Sequence, residues 1–400
     1  MYKKILFLVL SSTFVMAQGN LSFAGALEQR LNIDAGLQAR EHQESALKQG
    51  AVLTGALAAT EFETVLEDFG QGEIELAARQ SFEAPSIRKN RRNQVNSQIH
   101  ELESETVSYE RQIHNQLSLY FLEAVNTNQL LDLTKSRLHV LEQIVIWQTA
   151  KFNEGALAES ALIRTRISVA ELEAEVKTIE SSAASVALRL SVYLESAVPV
   201  SELPKALPDY PPFTIITNSW NDLDSAPAIR EKKAGIASLK ASKALADLPI
   251  ISSISISAGL IIIPEVSQRY PVVGFSIESP LFSKRKGALM EKEYEVRAGV
   301  SEMELIQSEL RGLREEWLIM WKASVDQLNT LENALIPQAS KLNERVDQEY
   351  RSGARSFLEV LDTQSLLTEL QTKAVELKYD MADRLFEMNL ILGVTIYEFD

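Results

Sequence analysis

The chain has 400 residues, of which 46% are hydrophobic, and its formal net charge is −15 at pH 7. It contains no cysteine, which excludes disulfide bonds, thiolate metal sites and a thiol nucleophile. The acidic charge makes nucleic acids and anionic lipid surfaces poor partners.

The N-terminal residues have the pattern of a secretory signal peptide. Lys3-Lys4 supply the positive start, and the residues from Ile5 to Met16 are apolar apart from Ser11, Ser12 and Thr13. Val15-Met-Ala17 fits cleavage after a small residue, and Ser22-Phe-Ala24 is a second candidate. We therefore predict that residues 1–17 are a signal peptide and that the remainder is exported. The apolar run is short for a membrane-spanning helix, and no later run of about 18 apolar residues exists.

In the first half, a helical pattern at 26–48 gives way to β-type sequence. We predict strands at about 51–60 and about 73–82, the second because apolar and polar residues alternate from Glu73 to Arg79. This pair has a weaker pattern than its counterpart in the second half.

A very long helix follows, from about 90 to 151, without proline or glycine. Its apolar residues recur at three-and-four spacing, which favours coiled-coil-type packing, and 60 residues would reach about 90 Å. Gly155 separates it from a return helix at about 158–195. An aromatic residue, two spacers and a glycine between two helices are typical of a tight turn in which the glycine ends the first helix.

Five prolines mark residues 198–225 as a linker between two halves. The second half repeats the layout, with strands predicted at about 250–262 and 271–282 and helices at about 284–350 and 355–392. The first of these strands is the clearest in the chain because serines alternate with isoleucines from Ser253 to Ser257.

The two halves are related by a duplication. Phe152 and Gly155 recur 198 residues later as Tyr350 and Gly353, and the register holds into the return helices. Repetition at half the chain length predicts two copies of one structural unit, at 18–197 and 226–400. Their four strands are too few to close a barrel within one chain.

This layout resembles that of the TolC-like outer-membrane efflux proteins. The stretch Tyr350-Arg-Ser-Gly-Ala-Arg-Ser-Phe-Leu-Glu-Val-Leu-Asp-Thr-Gln fits the family's turn between helices, and Phe275-Ser-Ile-Glu-Ser-Pro-Leu-Phe is similar to its strand end. The first half departs from the pattern, since Gln80-Ser81-Phe82 lacks the proline.

The resemblance implies an α+β fold and a homotrimer. Four strands from each protomer would form a twelve-stranded transmembrane β-barrel in the outer membrane, continued by a long α-helical barrel in the periplasm. The implied function is the exit duct of a tripartite efflux or type I secretion system, which conducts small molecules or ions passively, without catalysis or a cofactor. Its partners would be a periplasmic adaptor protein, an inner-membrane pump and outer-membrane lipid.

The resemblance also assigns roles near the second turn. Glu359 and Asp362 would form two rings of carboxylates at the pore entrance, although an acidic pair one turn apart is also typical of a solvated helix face. Tyr350 and Arg355 would hold the entrance closed. Ser160 would accept a hydrogen bond from Arg355.

Ala161 departs from the family at this latch, because it occupies the position of an acid. The closed state would therefore be weaker or differently built. Phe152, Gly155 and Gly353 would form the turns that dock the adaptor protein.

Two other functions stay open from the residues alone. A periplasmic coiled-coil structural or adaptor protein would also have long helices, although the alternating strand argues against it. An enzyme has no supporting motif, since the chain lacks a Gly-rich phosphate loop and a Ser-centred elbow. We predict no metal site, because the histidines do not have ligand spacing: they are His42, His100, His114 and His139.

Overall fold

The computed structural model describes residues 21–54, 56, 58–66, 72–247, 251–264, 267–279 and 285–399. The predicted signal peptide at 1–17 lies outside the described residues. The same is true of Pro280, Leu281 and Phe282, which end the second-half strand motif, and of Ile250 at the start of a predicted strand.

The two halves share the order helix, strand, strand, long helix and return helix, except that two helices precede the strands in the first half and the long helix of the second half is divided. The first half contains α1 Phe23–Ile33, α2 Ala35–Leu53, β1 Glu61–Leu66, β2 Ile74–Glu83, α3 Pro85–Asn153 and α4 Glu159–Leu194. Between the halves lies α5 Phe213–Ser219. The second half contains α6 Pro227–Ala246, β3 Ser253–Ile263, β4 Gln268–Glu278, α7 Arg285–Thr330, α8 Ile336–Arg351 and α9 Phe357–Leu392.

The longest element is α3, with 69 residues. Pro85 stands in its first turn, where its missing N–H leaves no hydrogen bond unmade, and no later proline or glycine interrupts it. At the α-helical rise it extends about 100 Å. Among the helices in the described part of the chain, none is both long enough and apolar enough to cross a membrane.

The first strand lies further along the chain than the sequence pattern predicted. Residues 51–53 belong to α2, whose end is capped at Thr54, and β1 begins at Glu61. The prediction of a strand at 51–60 was therefore wrong. Ala and Leu favour helix at its start, whereas Phe62, Thr64 and Val65 supply the aromatic and β-branched side chains that a strand accommodates.

The four strands form one antiparallel sheet in the order β1-β2-β3-β4. Pairing between β2 and β3 joins the hairpins of the two halves, with Ala78 opposite Ala258. The outer strands β1 and β4 are the two edges of this sheet. Each half therefore contributes one edge strand and one central strand.

A main cluster of buried side chains lies where both halves meet α1, α5 and the C-terminal residues. Its largest buried members include Leu117, Phe121, Leu122, Leu190, Trp220, Trp321, Leu385 and Phe386. The proline-rich segment contributes Leu203, Ile216 and Trp220 to it. The predicted linker therefore packs as part of the core.

The second long helix is interrupted by a π-helical turn at Leu331–Leu335. Pro337 follows in α8 and has no N–H to donate to the carbonyl of Asn333, which its ring also crowds. The wider turn accommodates this loss and lets the helix continue to Arg351.

Candidate functional site: the two helical tips

Each half ends its long helix in a tight turn, which we call the first tip (residues 152–158) and the second tip (residues 350–356). Gly155 has a φ of +76° and Gly353 a φ of +84°. This left-handed region is open to glycine and unfavourable for residues with a Cβ atom. The prediction that a glycine ends each long helix is therefore confirmed.

The two tips use the same hydrogen bonds. In the second tip, the Gly353 N–H donates to the Tyr350 carbonyl at 2.9 Å and the Ala354 N–H donates to the Glu349 carbonyl at 2.8 Å. The first tip repeats both bonds, each at 2.9 Å. This pair of bonds satisfies carbonyls at the helix end, so the repeated aromatic and glycine are parts of one C-terminal cap.

The return helices begin differently at the two tips. Ser356 and Glu359 form a reciprocal cap at α9, in which the Ser356 N–H donates to Glu359 Oε2 at 2.9 Å and the Glu359 N–H donates to Ser356 Oγ at 3.4 Å. The equivalent residues at α4 are Ala158 and Ala161, and no side chain caps that helix. The sequence Ser-x-x-Glu is the standard signal for this cap, and it would have predicted the capped start of α9.

Arg355 is bound within its own tip. Its Nε lies 2.9 Å from Glu349 Oε2, and its Nη1 lies 2.7 Å from Glu359 Oε1. Glu349 Oε1 also lies 3.1 Å from Arg345 Nε. Within the described residues no hydrogen bond joins Arg355 to Ser160, whose side chain is exposed. The pair of Arg355 and Ser160 between neighbouring helix pairs therefore stays a prediction.

These contacts keep the acids of the second tip ionised. Hydrogen bonds from Arg345 and Arg355 lower the pKa of Glu349. The hydrogen bond from the Ser356 backbone, followed by that from Arg355, lowers the pKa of Glu359. The same carboxylates raise the pKa of Arg355.

The two predicted pore acids have different surroundings. Glu359 is half-exposed, and its carboxylate forms an ion pair with Arg355 and accepts a hydrogen bond in the α9 cap. Asp362 lies one turn further along α9 and is exposed. Within the described residues Asp362 forms no ion pair, so it is the less compensated of the two charges.

Tyr350 joins the tips. Its side chain is 6% exposed, and its hydroxyl accepts a hydrogen bond from Gln148 Nε2 on α3 at 2.9 Å. Its ring meets the Trp147 ring edge-on, with 5.0 Å between centroids. Burial raises the pKa of the Tyr350 hydroxyl, so it is neutral at physiological pH.

An apolar tip cluster surrounds this bond and packs the first-half helices against the second-half helices. Its buried members are Leu141, Ile144, Leu172, Val346, Tyr350, Phe357 and Val360. Gln148 lies on the same face of α3 as Leu141 and Ile144, and it is fully buried. A polar residue within an apolar helical stripe was the signal that could have identified it from the sequence.

The aromatic residues of the two tips differ in exposure. Phe152 of the first tip is 38% exposed, whereas its equivalent Tyr350 is buried. The first tip therefore presents an aromatic side chain to the surroundings, whereas the second presents two arginines, Arg351 and Arg355, among small residues.

Comparison with known proteins identifies the fold. No protein-family model matches the sequence, and no curated protein matches it. Solved structures do match. CusC, whose crystal structures concern folding and transmembrane channel formation, has a TM-score of 0.73 at 16% identity. The match covers 96% of this chain and 96% of that one. The outer-membrane channel OprN has a TM-score of 0.73 at 16% identity, and the match covers 93% of this chain and 90% of that one. The MtrE outer-membrane channel of Neisseria gonorrhoeae, solved in its open state, has a TM-score of 0.72 at 13% identity. The match covers 94% of this chain and 90% of that one.

The chain has the TolC-like channel fold. The α+β fold class predicted from the sequence is therefore confirmed, on structural likeness over nearly the whole chain. In this TolC-like fold, α3 leads directly from β2 to the first tip. The sheet and the tips consequently lie at opposite ends of α3, about 100 Å apart.

Proposed function

We propose that the chain is the outer-membrane exit duct of a tripartite efflux system, with its helices in the periplasm. The observation that carries this proposal is the exposed apolar face of the sheet. Phe62 is 85% exposed and Val273 is 80% exposed. A patch of this kind is unfavourable in water, whereas lipid is its natural surrounding.

The strand register separates the two faces of the sheet. Ile256 pairs with Phe275, and Ile254 pairs with Ile277, so their side chains share one face. The opposite face carries Ser255, whose hydroxyl lies 2.8 Å from that of Ser81. One apolar and one polar face along the strands fit a barrel wall between lipid and an aqueous lumen.

The edges of the sheet support a trimer. A sheet in lipid cannot leave backbone donors and acceptors unpaired, and β1 and β4 are edge strands. If β4 of one protomer pairs with β1 of the next, three protomers close a barrel of twelve strands. The resemblance to TolC-like proteins supports the same number of protomers and strands.

The long helices support the rest of the assembly. Helices of about 100 Å could carry the duct from the outer membrane through much of the periplasm. We propose that the tips dock a periplasmic adaptor and that an inner-membrane pump supplies the energy. The duct itself would conduct small molecules or ions passively, with Glu359 and Asp362 at its entrance.

Cell fractionation tests the proposed location. We expect the protein in the outer-membrane fraction, as a trimer that dissociates on heating in detergent. Recovery as a soluble periplasmic protein would contradict the duct. It would favour the alternative of a periplasmic coiled-coil protein.

A further inference from the structure

Two arginines face one cleft at the junction of the two halves. Arg111 on α3 and Arg230 at the start of α6 line a cleft of about 230 Å³, together with His100, Glu103 and Pro227. Arg111 is half-buried, and Arg230 lies at the exposed rim. The cleft thus brings a positive side chain from each half to the same place.

Among the residues that the structure describes, the two guanidinium groups have no protein counter-ion. Within the described residues neither forms a hydrogen bond or an ion pair. The acid in the lining, Glu103, is held 2.9 Å from His100 Nδ1. Burial, and next the charge of Arg230, lowers the pKa of Arg111, as expected where like charges face each other without a carboxylate.

The surrounding charges do not neutralise the pair. Arg111 also borders a second cleft of about 280 Å³, which contains Glu110 and His114. His114 Nε2 lies 3.5 Å from Glu398, and burial lowers the pKa of His114. Within the described residues neither Glu398 nor Glu110 forms an ion pair with Arg111.

We propose that Arg111 and Arg230 together bind a small oxyanion of the phosphate type. A guanidinium group offers parallel N–H donors that match two oxygens of such an anion. Two of them in one cleft would contact the same anion, whose negative charge would offset the repulsion between theirs. The bound anion would link α3 of the first half to α6 of the second.

The position of the cleft favours a free solute over a lipid headgroup. Arg111 lies 26 residues beyond Pro85 along α3, which corresponds to about 39 Å from the sheet end of that helix. If the sheet is embedded in a membrane, this distance exceeds the reach of a headgroup. Free phosphate in the surrounding solution can reach the cleft at any distance from the membrane.

Isothermal titration of inorganic phosphate into the detergent-purified full-length protein tests the proposal, at constant ionic strength set with chloride. We expect saturable binding to the wild type. Arg111→Gln and Arg230→Gln should each weaken it at least about tenfold, because each removes charge-assisted hydrogen bonds. Arg164→Gln, which changes an exposed arginine on α4, should leave binding unchanged.

Other outcomes would overturn the proposal. Absence of saturable phosphate binding to the wild type would do so, and so would equal binding by all variants. Loss of the oligomer in Arg230→Gln, without phosphate binding to the wild type, would indicate a carboxylate from another protomer as the counter-ion. Arginine-dependent binding to phosphatidylglycerol vesicles, but not to inorganic phosphate, would indicate a lipid instead. Because Arg230 lies at the exposed rim, its variant tests the site even if Arg111→Gln fails to fold.

Discussion

The Tyr350 hydroxyl accepts a hydrogen bond from Gln148 Nε2 at 2.9 Å across 202 residues of sequence, and both side chains are buried. The bond joins the two tips inside the apolar tip cluster. A buried polar pair of this kind is stable only while both partners are present, because either one alone is left without a hydrogen bond.

Tyr350→Phe should loosen the contact between the tips. The ring packing on Trp147 is kept, but Gln148 Nε2 loses its partner, which destabilises this contact by about 1–3 kcal/mol. Under the proposed duct function, single-channel conductance in a planar bilayer should rise. Tyr294→Phe is the control, since Tyr294 is exposed on α7. Equal conductance in both variants and the wild type would mean that this bond does not hold the entrance.

Gly353→Ala and Gly312→Ala should change stability in opposite directions. At both positions an added Cβ meets no atom within 4 Å, but only Gly353 has a positive φ. Gly353→Ala therefore strains the second tip by about 1–3 kcal/mol, whereas Gly312→Ala stabilises α7 by up to about 1 kcal/mol. Chemical denaturation measures both. A stabilising Gly353→Ala would contradict the left-handed turn.

Acid should loosen the second tip more than the first. Glu349 and Glu359 have pKa values held below the ordinary 4.5, so the contacts of their charged forms stabilise the tip above that pH and are lost as the pH falls through the lowered values. The first tip lacks the equivalent cap because Ala158 and Ala161 replace its residues. Hydrogen exchange, corrected for intrinsic rates, should show protection falling at 350–362. Glu359→Gln should reduce this difference, and equal acid sensitivity of both tips would contradict the assignment.

Asp362→Asn should reduce cation selectivity more than Glu359→Gln. The Glu359 charge is compensated by Arg355, whereas Asp362 is exposed and forms no ion pair within the described residues. If the proposed trimer places these acids around one axis, the uncompensated ring dominates the local potential. Reversal potentials in salt gradients provide the measurement. Unchanged selectivity in both variants would place these acids on a solvated helix face outside the pore.

Ile256→Arg should block membrane assembly, whereas Ser257→Arg should permit it. The two residues are neighbours on β3 but point to opposite faces of the sheet. A lipid-facing arginine near the bilayer midplane costs about 2–4 kcal/mol, and one in the lumen does not. Heat-modifiable trimers in the outer-membrane fraction are the measure. Normal assembly of Ile256→Arg would show that its face does not contact lipid.

The parts of the fold that follow from local chemistry were predictable. Gly155 and Gly353 identified the tips because few other residues tolerate a positive φ, and the Ile and Ser alternation located β3. The strand β1 was misplaced because the prediction overlooked the helix preference of the Ala- and Leu-rich sequence before it, while Glu61 and Glu63 make the true strand look like a polar helix or loop.

The candidate site was less predictable, because its main contact depends on tertiary packing. Nothing local pairs Gln148 with Tyr350; their meeting requires that the packing of α3 along α9 bring the end of α8 against α3. The cap formed by Ser356 and Glu359 is a different case, since its spacing was visible in the sequence. In this cap the Glu359 carboxylate accepts a hydrogen bond from the Ser356 N–H, so part of its charge is used within α9.

The distribution of the tryptophans gives the molecule a natural optical probe. Three of the four, Trp220, Trp317 and Trp321, lie in the main cluster, whereas Trp147 packs on the tip cluster beside Tyr350. Replacing those three by phenylalanine would leave ultraviolet emission from a single indole at the contact between the tips. Its emission maximum would move to longer wavelength as water reached the ring, so opening of the tips could be followed in real time without attaching a dye.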